Sequence, residues 1–263
     1  MSEEPVLWLH AVTPGPDAGR LAGITGVGGG PVRPVAADGL VAVVAPVAPT
    51  EYGEVALRRN LEDLTWLERV AREHHRVADV LARLGPVVPA RLATVYRDEG
   101  GLREALAQRR DDFRAAFDRV AGRVEWGVKA YAVPGAGAAA SAPAASGGAG
   151  GAGTAYLLRR RAQLAATEAA GRAAARAAQA THEALARHAR AARRHAPQDR
   201  GLSGVPEQML LNGAYLVDAD GGTDFANLVE ALAGRYPAIR LELTGPWPPY
   251  SFADIDDGGR HDG

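Results

Sequence analysis

Forty-three consecutive residues, 154–196, contain no proline and are dominated by alanine and arginine. Both residue types favour helix. A straight helix of that length would run about 65 Å, more than one small domain can cover. Along it Leu157, Leu164, Gly171, Ala178, Leu185 and Ala192 recur every seven residues. Such a repeat lays one seam along the helix, so a partner helix is expected there, from the same molecule or from a second protein. Only Leu157, Leu164 and Leu185 are large, which makes them the candidate partner-binding residues, and Gly171 is where a bend is expected. The preceding segment, 134–153, contains only Ala, Gly, Pro and Ser. It cannot offset its ordering entropy by burial and is expected to be a flexible loop.

Around this helix the chain alternates between short apolar runs and amphipathic stretches. Strands are expected at 6–12, 39–47, 87–96, 124–133, 212–217 and 239–244, apolar or alternating and bounded on at least one side by Gly, Pro or Asp. A Gly/Pro-rich loop joins the first two, over 23–34. A helix is predicted from 53 to 84, with Leu57, Leu61, Leu64, Leu67, Val70, Val77, Leu81 and Leu84 near a 3-4 spacing and Gly85-Pro86 as the stop. A second is predicted over 102–120, and a third over 223–234 with Thr223 and Asp224 at its N-terminus. GPWPPYSF, 245–252, should be extended because its prolines fix φ and lack donors. Residues 253–263 read as a polar, frayed tail.

Composition then removes whole classes of chemistry. Without cysteine there is no disulfide, thiolate metal site, iron–sulfur cluster or cysteine nucleophile. A formal charge of −1 argues against a general nucleic-acid or membrane-surface binder. The total hides a separation: ten arginines against three acids over 154–200, and nine acids against three arginines over 218–263. No aromatic side chain interleaves with the arginines beyond Tyr156, which weakens single-strand stacking as a use. The opening MSEEPVLWLH carries acids where a secretory signal carries a positive region, and the charge-free stretch 130–158 is too poor in large apolar residues to enter a bilayer. A soluble, cytoplasmic chain is expected.

Catalytic patterns fail on detail. GITGVGGG, 23–30, lacks the Lys-Ser/Thr of a phosphate loop, since the sole lysine is Lys129, and it also lacks the third glycine of a dinucleotide fingerprint. No serine sits in Gly-x-Ser-x-Gly. His182-Glu183 would need histidine at 186, which is Ala186. His188 and His195, seven apart on the expected helix, read as surface histidines, and His74, on an apolar face, as a satisfied core histidine. A pocket gathering His74, Glu125 and Arg91 would revive an enzyme. No catalytic residue, cofactor or metal is assigned.

Six segments carry a resemblance: NLEDLTWLERVAREHHRVADVL (60–81), PVVPARLATVY (86–96), EWGVKAY (125–131), AYLLRR (155–160), LNGAYLVD (211–218) and LTGPWPPYSF (243–252). In this order, and closed by Gly-Pro-Trp-Pro-Pro-Tyr, they resemble the gas vesicle GvpF/GvpL family over nearly the whole chain. The resemblance implies a two-domain α+β protein. Residues 5–121 would form an N-terminal α+β domain, and 122–252 a modified ferredoxin-like domain with a long, coiled-coil-forming helix. It also implies a non-enzymatic accessory protein of gas vesicle assembly, located in the cytoplasm or at the vesicle. Such a protein would bind the small hydrophobic shell protein and other accessory proteins. The alternative is a minor structural component resident on the shell. The contact would be a free sheet edge or the Leu157–Leu164–Leu185 seam. Trp247 and Tyr250 would either pack on their own sheet, the favoured reading, or meet a partner.

Overall fold

The computed structural model describes residues 4–15, 18–133, 152–197 and 207–253. Most of the expected 134–153 loop, and the tail beyond Ala253, lie outside the described residues. The chain divides into two compact units, Met1–Glu125 with Trp247–Gly263, and Trp126–Pro246. The last segment thus belongs with the first unit, whereas the sequence reading kept residues up to 252 in the second. Ala253, expected to fray, is buried.

The first unit is organised on β1 (Val6–Thr13), buried over nearly its whole length. It pairs antiparallel with β3 (Leu40–Val47), which pairs in turn with β2 (Arg33–Ala37). β2 falls partly in the expected 23–34 loop. Asp38 and Gly39, both at positive φ, make its two-residue hairpin turn with β3. β4 (Val88–Pro89) and β5 (Val95–Tyr96) also pair with β1, so the expected strand 87–96 is two short pieces with a turn through Ala93 at positive φ.

Register slips by one residue in β1 between Leu9 and Ala11. A bulge of this kind reverses the in-out alternation beyond it. Leu7, Leu9 and Val12 consequently share one face, while Trp8 and Ala11 share the other.

Helices cover both faces. The expected helix 53–84 is two, α2 (Glu54–Asn60) and α3 (Leu64–Leu84), preceded by a single turn, α1 (Pro49–Tyr52). Asp63 accepts from the Thr65 and Trp66 amides, capping α3 and ending continuity with α2. This break leaves Leu64 at the exposed start of a helix instead of on its buried stripe. Val70, Val77 and Leu81 pack on the sheet. On the other face lie α4 (Glu99–Gln108) and α5 (Arg110–Val120), contributing Leu102, Leu106, Phe113 and Phe117. Arg109, with non-helical backbone, separates what the apolar period presents as one helix.

The second unit runs β6 (Arg123–Ala132), α6 (Ala152–His188), β7 (Ala191–Arg194), β8 (Met209–Asp218), α7 (Gly222–Arg235) and β9 (Ile239–Trp247), with β6 and β9 crossing the unit boundaries. Its sheet has the order β7-β8-β6-β9. Phe225, Val229 and Leu232 of α7, with Leu185 of α6, pack on Val128, Tyr215 and Val217. Ala174, Ala177 and Ala178 of α6 lie on Ala130, Leu211 and Ile239.

α6 ends eight residues before the sequence pattern does. The Arg190 amide donates to the Leu216 carbonyl at 2.8 Å, and Ala191–Arg194 continue as an edge strand on β8. A neighbouring strand with open backbone groups outweighs alanine's helix preference, which is a weak prior. Ala192, expected on the seam, lies on this strand. α7 starts one residue before Thr223, and neither Thr223 nor Asp224 caps it. After β9, the Tyr250, Phe252 and Ala253 amides bond to the Pro248 and Pro249 carbonyls, so the expected extended segment ends in a turn.

Candidate partner-binding surface

Because of the bulge, His10 of β1 stacks on His74 of α3, with ring centroids 5.3 Å apart. The Trp8 indole N–H donates to His74 Nδ1 at 3.0 Å, so Nε2 carries the proton and donates to the Ala90 carbonyl at 3.0 Å. Both nitrogens are satisfied and the ring is locked neutral. Burial lowers its pKa to about 4. Burial, then the neighbouring His74, lowers that of His10 to about 3. A half-open groove of about 270 Å³ lies in this unit, lined by Leu9, Phe113, Tyr250, Arg91 and Arg109 among others. His74 and Glu125 do not line it. Glu125 instead accepts from the Ser251 amide at 2.7 Å and the Ser251 hydroxyl at 2.6 Å, holding the C-terminal turn to the start of β6. The arrangement that would have revived an enzyme is not assembled.

The glycine-rich loop is structural. Gly28 and Gly29 adopt positive φ, and a Cβ on Gly26 would sit 2.6 Å from that of Ala45. The Gly28 amide donates to the Glu73 carboxylate, a negative group where a phosphate loop would hold its ligand. His188 ends α6 against Phe225, whereas His195 lies beyond β7, so the two do not share a helix face. Among the described residues, no three His, Asp or Glu side chains gather to hold a metal, and no helix is long and apolar enough to cross a membrane.

The five sequence candidates separate. Leu185 is fully buried against Tyr215 and Phe225. It therefore serves the chain's own sheet and is withdrawn as a partner contact. Tyr250 packs its ring on His74 and His75, and burial raises its phenol pKa. Trp247 stacks edge-on against His75 at 5.1 Å but stays 40% exposed. Leu157 and Leu164, at 66% and 54% exposure, stand on the N-terminal half of α6.

Among the described residues of the second unit, that half is the most open. Every residue from 156 to 169 is exposed, whereas the buried positions of α6 begin at Ala174. At 1.5 Å per residue this free part is about 20 Å long. Tyr156 and Leu158 join Leu157 and Leu164 there, around Arg159, Arg160 and Arg161. Sequence periodicity found the two seam leucines. It missed Tyr156 and Leu158, because a heptad test scores one face and this segment is exposed on every face.

Comparison with known proteins decides the family. The sequence profile described as "Gas vesicle synthesis protein GvpL/GvpF" matches residues 6–254. The chain belongs to the GvpL/GvpF family. It is 40% identical to gas vesicle protein L of Streptomyces sp. (strain CB03234) over 262 residues, covering all of this chain and 98% of that relative. A local match of 52 residues, 35% identical, links it to gas vesicle protein F1 of Halobacterium salinarum, covering 20% and 24% of the two chains. Its fold is similar to the crystal structure of GvpF from Anabaena sp. PCC7120, with a TM-score of 0.66, 20% identity, and coverage of 98% of this chain and all of that one. GvpF from Microcystis aeruginosa gives 0.64 and 18%, covering 95% and 99%. This GvpL/GvpF chain is a mixed helix-and-sheet protein whose second unit carries the exposed leucine and arginine helix end.

Proposed function

We propose that this GvpL/GvpF chain is a non-enzymatic accessory factor of gas vesicle assembly. It binds the small hydrophobic shell protein and other accessory proteins in the cytoplasm, and holds shell subunits soluble until they join the shell. The observation that carries the reading is the free half of α6. Leucines and a tyrosine stand in water there on a helix that its own sheet does not cover, and an apolar face of this kind meets apolar partners. Leu157, Leu158 and Leu164 are the contacts on the second unit; on the first, Trp247 offers its exposed side as a separate contact, and Tyr250 packs within its own unit. The second unit reads as a modified ferredoxin-like fold, supported by its strand-helix-strand-strand-helix-strand order and the sheet order β7-β8-β6-β9.

The test is co-expression with the shell protein, scored by soluble shell protein that co-purifies. The wild-type chain should raise the soluble fraction. The variant Leu157→Ser/Leu158→Ser/Leu164→Ser should lose most of that effect while keeping its thermal transition. Undiminished capture by this variant would remove α6 from the contact, and no solubilisation by the wild-type chain would end the assembly-factor reading.

A further inference from the structure

Just beyond its fully exposed stretch α6 carries Gly171, itself exposed, in a sequence otherwise rich in alanine. Glycine there weakens a helix relative to alanine, and nothing in the fold requires it. A Cβ at that position would have no neighbour within 4 Å. The glycine therefore leaves an unused gap on an exposed surface.

The residues around it supply a reason. Leu157, Arg160, Leu164, Glu168 and Gly171 follow one another at intervals of three, four, four and three. At 3.6 residues per turn they lie on one narrow stripe. The stripe is self-complementary about Leu164. A two-fold axis through Leu164, perpendicular to the helix, sets Leu157 opposite the second copy's Gly171, large against small. It sets Arg160 opposite the second copy's Glu168, cation against anion, and each Leu164 against the other.

We propose that a second copy of this chain docks here, its α6 crossing antiparallel and centred on Leu164. The charges choose this direction. A parallel crossing would lay the two Arg159–Arg161 clusters side by side, at the 8–10 Å separation typical of packed helices. The antiparallel crossing displaces them by about 12 Å along the axis as well, beyond the screening length of about 8 Å at physiological salt. Glu168 already holds its own Arg172 at 3.5 Å, and in the dimer it sits between two guanidinium groups. Leu157 enters the Gly171 gap as a knob enters a hole. The dimer covers Leu157 and Leu164, two of the three leucines assigned to the shell protein, so it deepens that reading by giving the stripe an occupant when no shell protein is bound.

The natural absence of cysteine makes the register measurable. Leu164→Cys should link two copies into a covalent dimer under mild oxidation of the isolated chain, seen on a non-reducing gel. Leu157→Cys should not, because its mate lies 14 residues, about 21 Å, along the axis. Sedimentation should show a concentration-dependent dimer that Arg160→Glu weakens roughly tenfold. Adding Glu168→Arg to that variant should restore it. All substituted positions are exposed, and unchanged circular dichroism checks that each variant folds. A monomer at every concentration, equal linking by the two cysteine variants, or no restoration by the charge swap would overturn the proposal. Since the shell protein is left out, a missing dimer is distinct from failed shell-protein capture.

Discussion

Acidification from about pH 7.5 to about pH 5 should cost the first unit roughly 4 kcal/mol, through two histidines. In the unfolded chain His10 and His74 titrate near 6.5, whereas in the fold burial holds them at about 3 and about 4. The unfolded state therefore binds protons that the folded state refuses. Stability is fully present above about pH 6.5 and is lost as pH falls through the window down to the folded values. At pH 5 each ring contributes a loss of about 2 kcal/mol by this linkage. The positive charge one ring would gain opposes protonation of the other, so the stacking does not relieve the loss. Carboxylates contribute little in this window, because Glu51 and Glu99 are lowered from an ordinary value already below it. Urea unfolding at the two pH values, with hydrogen exchange of the β1 amides to report this unit, measures the difference. In His74→Gln, one amide keeps both bonds, accepting from Trp8 and donating to Ala90, but has no proton to gain. Its loss should fall to about half. An unchanged loss in His74→Gln, or a flat wild-type profile from pH 7.5 to 5, would refute the assignment.

Leu185→Ala should lower stability by about 2–5 kcal/mol, as for a leucine in a packed core. Leu164→Ala, though on the same heptad seam, should stay within about 0.5 kcal/mol; thermal melts of the pair test this. Gly26→Ala should destabilise by about 1–3 kcal/mol, because its Cβ would fall 2.6 Å from Ala45 Cβ and 2.7 Å from His10 Nε2. A melting temperature equal to wild type would show that the loop yields. As an assembly factor the chain should wash off intact vesicles, and quantitative immunoblotting that found it retained would favour a resident shell component.

The long helix was legible as a helix because its residues prefer that conformation wherever they stand. Its partner was not, since propensity does not say which turns meet a sheet. The heptad grouped Leu157, Leu164 and Leu185 as equals, yet the first two stand in water and the third is buried beside Tyr215. The same limit explains β7. Ala191–Arg194 are good helix formers that become a strand because β8 offers unpaired backbone beside them. In the first unit the apolar period ran on through residues 53–84, and only the Asp63 cap divides it into separate helices.

The clearest message in the residues was which motifs they cannot form. No cysteine, one lysine and broken phosphate-loop patterns are local properties that folding cannot change. The role of His74 needed distances. An apolar helical position placed it in the core, but its neutral tautomer depends on Trp8, 66 positions away, and on the Ala90 carbonyl. Motif order was sufficient for the family, and composition and periodicity for the type of most elements, since each depends on residues close in sequence or on their succession. Which leucines remain in water, where α6 yields to a strand and how a one-residue bulge sets His10 on His74 are long-range matters. They were decided when distant segments competed for the same backbone partners and the same buried space.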